Sequence, residues 1–153
     1  MNYLSLLISL FISLGTGILS GFITREDTRV FFDSIEKAPL TPSPAVFPIV
    51  WTVLFALMGI GAWLVWENRC KQRKVALSIY ALQLVFNFLW SIIFFKFMEL
   101  EIAFLWLIIL WLEVIVMTAL FYKCSKKAGL LQIPYIIWLT FAAYLNFAIC
   151  VLN

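Results

Sequence analysis

The chain has 153 residues, 65% of them hydrophobic and only 12% charged, with a net charge of +3 and no histidine. Soluble domains are about 45–50% apolar and about a quarter charged, so this composition excludes one and specifies a membrane protein. The missing histidine removes Ser-His and Cys-His nucleophiles, histidine metal sites and histidine ligation of haem iron, and so small a charge excludes nucleic-acid binding.

Five apolar runs, at about 3–23, 47–66, 75–97, 102–122 and 130–152, account for most of the chain. A hydrocarbon core about 30 Å thick takes about 20 apolar residues at helical rise, and each such segment must satisfy its own backbone hydrogen bonds. The expected fold is therefore an all-α integral membrane protein, one domain over 1–153, built as a five-transmembrane-helix bundle. A barrel would instead alternate over strands of about 10 residues.

The first run has no Lys or Arg ahead of Tyr3 and no small-x-small cleavage pattern near its end, so it is expected to be a retained helix and not a signal peptide. It places Ser5, Ser9, Ser13, Gly17 and Gly21 at every fourth position. Such a stripe lets backbones approach closely and serves either packing within the bundle or a homodimer seam.

The connection 24–46 is the one long loop. Thr24–Arg29 followed by Val30–Ile35 predicts a short amphipathic helix against the membrane surface, and Pro39, Pro42, Pro44 and Pro48 predict a stiff, extended second half, because proline fixes φ and removes a donor. Long ordered loops are usually lids or binding loops.

The second span begins with Trp51 and continues with Phe55, Met58 and Ala62 on one face; Trp63 and Trp66 at its far end fit an interfacial aromatic belt. The third carries Tyr80, Gln83, Asn87 and Trp90 at spacings that put all four on one stripe, and the fifth carries Tyr135, Trp138, Ala142 and Asn146 likewise. Amides in hydrocarbon are costly, so Gln83, Asn87 and Asn146 should point inward, either to bond neighbouring helices or to serve a ligand. Aromatic walls with a few amides describe a pocket for a large planar apolar molecule. In the fourth span, Trp106 and Trp111 read as lipid-facing or packed, and Glu113 is expected to be neutral and hydrogen-bonded.

Loops two and four carry seven basic residues, Arg69, Lys71, Arg73, Lys74, Lys123, Lys126 and Lys127; the other side has four, Arg25, Arg29, Lys37 and Lys96. Basic residues accumulate in cytoplasmic loops, which predicts a cell-membrane protein with a cytoplasmic N-terminus and an external C-terminus. On that basis Cys70 and Cys124 are expected as reduced thiols, and Cys150 as a free one.

Three ordered blocks carry a family resemblance: VFPIVWTVLFALMGIGAW at 46–63, QLVFNFLWSIIFF at 83–95 and PYIIWLTFAAYLN at 134–146. They resemble the translocator proteins, also called tryptophan-rich sensory proteins or peripheral-type benzodiazepine receptors (the TspO/MBR family), in their bacterial form. The resemblance implies a commonly dimeric five-helix bundle whose pocket binds tetrapyrroles such as protoporphyrin IX, and synthetic isoquinoline carboxamides. By motif, Trp51, Asn87, Trp138 and Ala142 would line that pocket, within the wider set of Phe55, Tyr80, Gln83, Trp90 and Asn146. It also implies light-dependent oxidative breakdown of bound protoporphyrin with Trp51 and Trp138 nearby, where the photoexcited porphyrin is reactive and no catalytic triad, metal or resident cofactor is involved.

Two departures stand out. Leu40 and Ala45 occupy loop positions where the family often has tryptophan, and no basic residue follows Tyr144, so the sterol-binding pattern of animal members is missing. A transporter of tetrapyrroles, with Glu113 as coupling group, is the rival reading. Transporters usually show internal repeats or broken helices, and five unlike spans offer neither.

Overall fold

Apolar sequence without internal breaks builds long helices, and the computed structural model of the chain, which describes residues 2–153, contains five of them long and apolar enough to cross a bilayer. They are α1 (Tyr3–Ile23), α3 (Val46–Glu67), α4 (Arg73–Ser91), α5 (Leu100–Cys124) and α7 (Ile133–Leu152); α2 (Arg25–Ser34) and α6 (Lys126–Leu130) are short connecting helices. The fold is an all-α membrane bundle. The Asn2 side chain caps α1 by accepting from Leu4 N, Glu26 and Asp27 favour the first turn of α2, and Pro134 sits in the first turn of α7, where its missing N–H costs nothing.

Large apolar side chains face outward as well as inward; Phe11 is 80% exposed and Phe22 76%. Lipid is as apolar as they are, so helix association rests on close packing and hydrogen bonds. The small-residue stripe of α1 meets α3: Ser9 Oγ donates to Gly59 O at 2.7 Å. A Cβ on Gly17 would lie 2.5 Å from the Phe55 ring, and one on Gly59 would lie 2.6 Å from Ser13 Oγ. Packing within the bundle is thus one use that this stripe has, over Ser9 to Gly17.

The third span ends differently from a plain helix. Residues Ile92–Lys96 form a π-helical turn, closed by Phe97 N donating to Ile92 O at 3.1 Å. Such insertions re-aim side chains and recur at functional sites. Here the turn brings Phe94 and Phe95 against α2, with ring centroids 4.7 and 5.4 Å from that of the fully buried Phe31.

The loop after α1 is ordered, but its second half, expected to be extended, turns at 39–40 and again at 44–45. Its first half is α2, and its second half lacks regular structure and turns at Leu40, whose φ is 67°. Asn153 fixes this half to the end of α7: its Oδ1 accepts from Glu36 N at 2.8 Å and its Nδ2 donates to Glu36 O at 3.1 Å. Tyr144 Oη adds a bond to Pro39 O at 3.2 Å.

Three further expectations are corrected. Cys70 and Cys124 are not separate thiols: they form a disulfide across 54 residues with Cα atoms 5.2 Å apart, because the bundle returns the end of α5 to the α3–α4 loop. Trp63 is not in an interfacial belt but 6% exposed inside the bundle, whereas Trp66, one turn on, is 53% exposed. Glu113 has no hydrogen-bond partner at Oε2, although that atom is buried.

Candidate functional site

A cavity of about 670 Å³ lies beneath the α2 lid, walled by α1, α2, the proline-rich loop, α3, α4 with its π turn, and α7. Its volume is within the about 300–1,000 Å³ of small-molecule sites. α3 contributes Trp51 and Phe55, α4 contributes Asn87 and Trp90, and α7 contributes Trp138, Ala142 and Asn146. The spacings explain the convergence, since each set repeats at three or four residues and so occupies one face of its helix.

Asn87 is positioned by a hydrogen-bonded chain at the cavity wall. Its Nδ2 donates to Tyr135 Oη at 2.8 Å, and that hydroxyl donates to Gln83 Oε1 at 2.9 Å. The chain joins α4 to α7 and fixes the Asn87 side chain. Gln83 itself is fully buried, with its Nε2 3.6 Å from Met58 Sδ, and does not reach the cavity. Tyr80 does not reach it either; its ring packs 6.1 Å from Phe121 on α5.

The aromatic lining is mutually braced. Trp51 lies 5.7 Å from Phe55 and 6.2 Å from Tyr135, Phe47 meets Trp138 edge-on at 5.9 Å, and Trp90 stacks on Phe94 at 5.1 Å. Asn146 ties the start of α5 by donating from Nδ2 to Leu100 O at 3.0 Å. Three polar atoms on lining residues are buried without partners: Trp90 Nε1, Trp138 Nε1 and Asn146 Oδ1. Buried polar groups normally find partners, and these three atoms lack one in the bundle.

Several wall residues escape sequence reading. Phe94 and Phe95 depend on the π turn, and Leu145 and Ile149 extend the α7 face. Arg25 is the single charged residue on the wall among the described residues; its place in the first turn of α2, directly after the first span, was the available signal. No residue of α5 lines the cavity among those described. Trp106 instead stacks on Phe86 at 4.4 Å and donates to Phe86 O, and Trp111 donates to Thr140 Oγ1, both at 2.9 Å.

The sequence matches the model of the TspO/MBR family over residues 8–152. It is 36% identical over 153 residues to the tryptophan-rich protein TspO of Archaeoglobus fulgidus, covering 100% of this chain and 99% of the relative. It is 34% identical over 139 residues to the tryptophan-rich sensory protein of Cereibacter sphaeroides, covering 91% and 85%. It is 31% identical over 140 residues to the human translocator protein, covering 90% and 82%. With a matching family model, near-complete overlap and the five-span helical bundle in agreement, the chain belongs to the TspO/MBR family of multi-pass membrane proteins.

Proposed function

We propose that this protein binds tetrapyrroles such as protoporphyrin IX in the cavity beneath α2 and promotes their light-dependent oxidative degradation, and that isoquinoline carboxamides occupy the same space. The observation that supports this most directly is the convergence of Trp51, Asn87 and Trp138 from three helices on one volume of about 670 Å³. Flat aromatic faces suit a macrocycle, and offset or edge contacts each add about 0.5–1.5 kcal/mol beyond area. Arg25 on the wall suits a propionate carboxylate, with which guanidinium pairs well.

The chemistry needs no protein acid or base. Light excites the bound porphyrin, dioxygen is the oxidant, and the indoles of Trp51 and Trp138 are the oxidisable side chains at its edge. The lid, fixed by Asn153 and Tyr144, confines the reactants, which is the protein's contribution to rate. A homodimer belongs to this reading, with its seam on an apolar face other than the Ser5–Gly17 part of the stripe, which meets α3.

Porphyrin titration followed by tryptophan fluorescence tests the binding step. The parent chain is expected to show saturable quenching, and Asn87→Ala to weaken it about tenfold through loss of the wall amide and of the bond to Tyr135. Absence of saturable quenching by the parent would refute the reading. The transporter alternative gains nothing from Glu113, which lies on α5 away from the cavity wall.

The basic loops favour a cytoplasmic N-terminus, while a lasting cystine favours an oxidising space. We propose the cytoplasmic placement, since loop charge acts during insertion and the cystine closes only after the bundle has formed.

A further inference from the structure

At the end of the bundle away from the lid, a second cavity of about 650 Å³ opens between the end of α3 and the start of α4. Its wall carries four cations, Arg69, Lys71, Arg73 and Lys74, against one acid, Glu67. That acid is already occupied: its Oε1 accepts from Ser5 Oγ at 3.0 Å and its Oε2 from Asn2 N at 3.3 Å. Among the described residues, the excess positive charge of the wall therefore has no counterpart within it.

The loop that presents these cations is held in shape. The Cys70–Cys124 disulfide ties its middle to the end of α5, and Asn68 Nδ2 donates to Cys124 O at 2.5 Å. Arg69 sits in the left-handed region at φ 39°, a conformation that persists only where the surroundings impose it. Arg73 donates from Nη1 to Trp66 O at 3.2 Å and lies 5.1 Å over the Trp66 ring. Trp66 is 53% exposed, as a residue at the membrane–water boundary should be.

We infer that this cavity is a headgroup site for an anionic phospholipid. A phosphodiester supplies the missing negative charge and accepts charge-assisted hydrogen bonds from Arg and Lys. Exposed apolar side chains flank the site, with Leu4 and Leu7 64% exposed on α1 and Val75 55% exposed on α4. Acyl chains attached to the bound headgroup would run along them. That continuity favours a lipid over free phosphate, and the shaped loop distinguishes the site from the general attraction of basic segments for anionic membranes.

The test uses the full chain in nonionic detergent, with native mass spectrometry measuring retained phosphatidylglycerol, phosphatidylcholine or inorganic phosphate. Phosphatidylglycerol is expected to bind about tenfold more tightly than phosphatidylcholine. The double variant Lys71→Gln with Lys74→Gln should lose that preference. The control Lys126→Gln with Lys127→Gln, on the same side but off the cavity wall, should keep it. Both pairs change exposed side chains, and unchanged melting checks that the fold is intact. Equal affinity for the two lipids overturns the proposal, as does equal loss in the two double variants. Binding of phosphate alone at the lipid's affinity overturns the assignment to a lipid.

Discussion

Gln83 and Asn87 lie one turn apart on α4, and only Asn87 reaches the cavity; Tyr135 Oη sits between them, accepting from Asn87 and donating to Gln83. The sequence placed both amides on one stripe with Tyr80 and Trp90, and could not say which end of that stripe a neighbouring helix would cover. α5 covers the Tyr80 end through Phe121. At this scale the reading makes a sharp prediction about the indoles. Trp51→Phe combined with Trp138→Phe preserves aromatic packing and removes the readily oxidised rings. Porphyrin consumption under light should fall at least several-fold while porphyrin affinity changes little, measured by absorbance decay beside fluorescence titration. Decay as fast as the parent's would remove the indoles from the chemistry.

Among the elements, the α1–α3 seam and the lid depend on different forces. The seam depends on absent side chains: Gly59→Val would drive a branched group into Ser13 and the α1 backbone, and overpacking of this kind costs about 1–3 kcal/mol. A lower melting temperature in detergent, with Ser9 no longer bonded to Gly59, is the expected outcome. The lid depends on a two-bond clamp at its margin. Asn153→Ala removes both bonds to Glu36 and should accelerate porphyrin dissociation several-fold with little change in melting, read by stopped-flow fluorescence. An unchanged off-rate would mean that Tyr144 and the Phe31 cluster hold the lid alone. The prolines made a held loop legible in the sequence; its anchor on the last residue of the chain was not, because the two lie 117 positions apart.

For the whole molecule, the disulfide is the feature with the clearest thermodynamic signature. Closing a loop of 54 residues is worth at most about 4 kcal/mol in a soluble chain, and less where the unfolded chain stays tethered in a bilayer. Cys70→Ser should therefore lower the melting temperature without reductant, and the difference from the parent should vanish when the parent is reduced. The same pair reports orientation. After reduction of the parent in sealed right-side-out vesicles, a membrane-impermeant maleimide should fail to label Cys70 and Cys124 until the vesicles are opened. Labelling of Cys70 or Cys124 from outside, as distinct from the free Cys150, would place the basic loops, and with them the N-terminus, outside the cell.

Sequence alone determined that the chain crosses the membrane five times as helices, that residues 24–46 form a structured connection, and that three tryptophan-bearing blocks place it in its family. These follow from composition and local backbone chemistry, since an apolar stretch in hydrocarbon has no economical form but a helix. Tertiary structure decided which faces of those helices enclose the cavity, where the π turn sends Phe94 and Phe95, why Trp63 is buried, and that Cys70 meets Cys124. Helices apolar on every side carry little pattern to distinguish lipid from neighbour. Their rotation is settled only when glycines, serines and amides of different helices find one another.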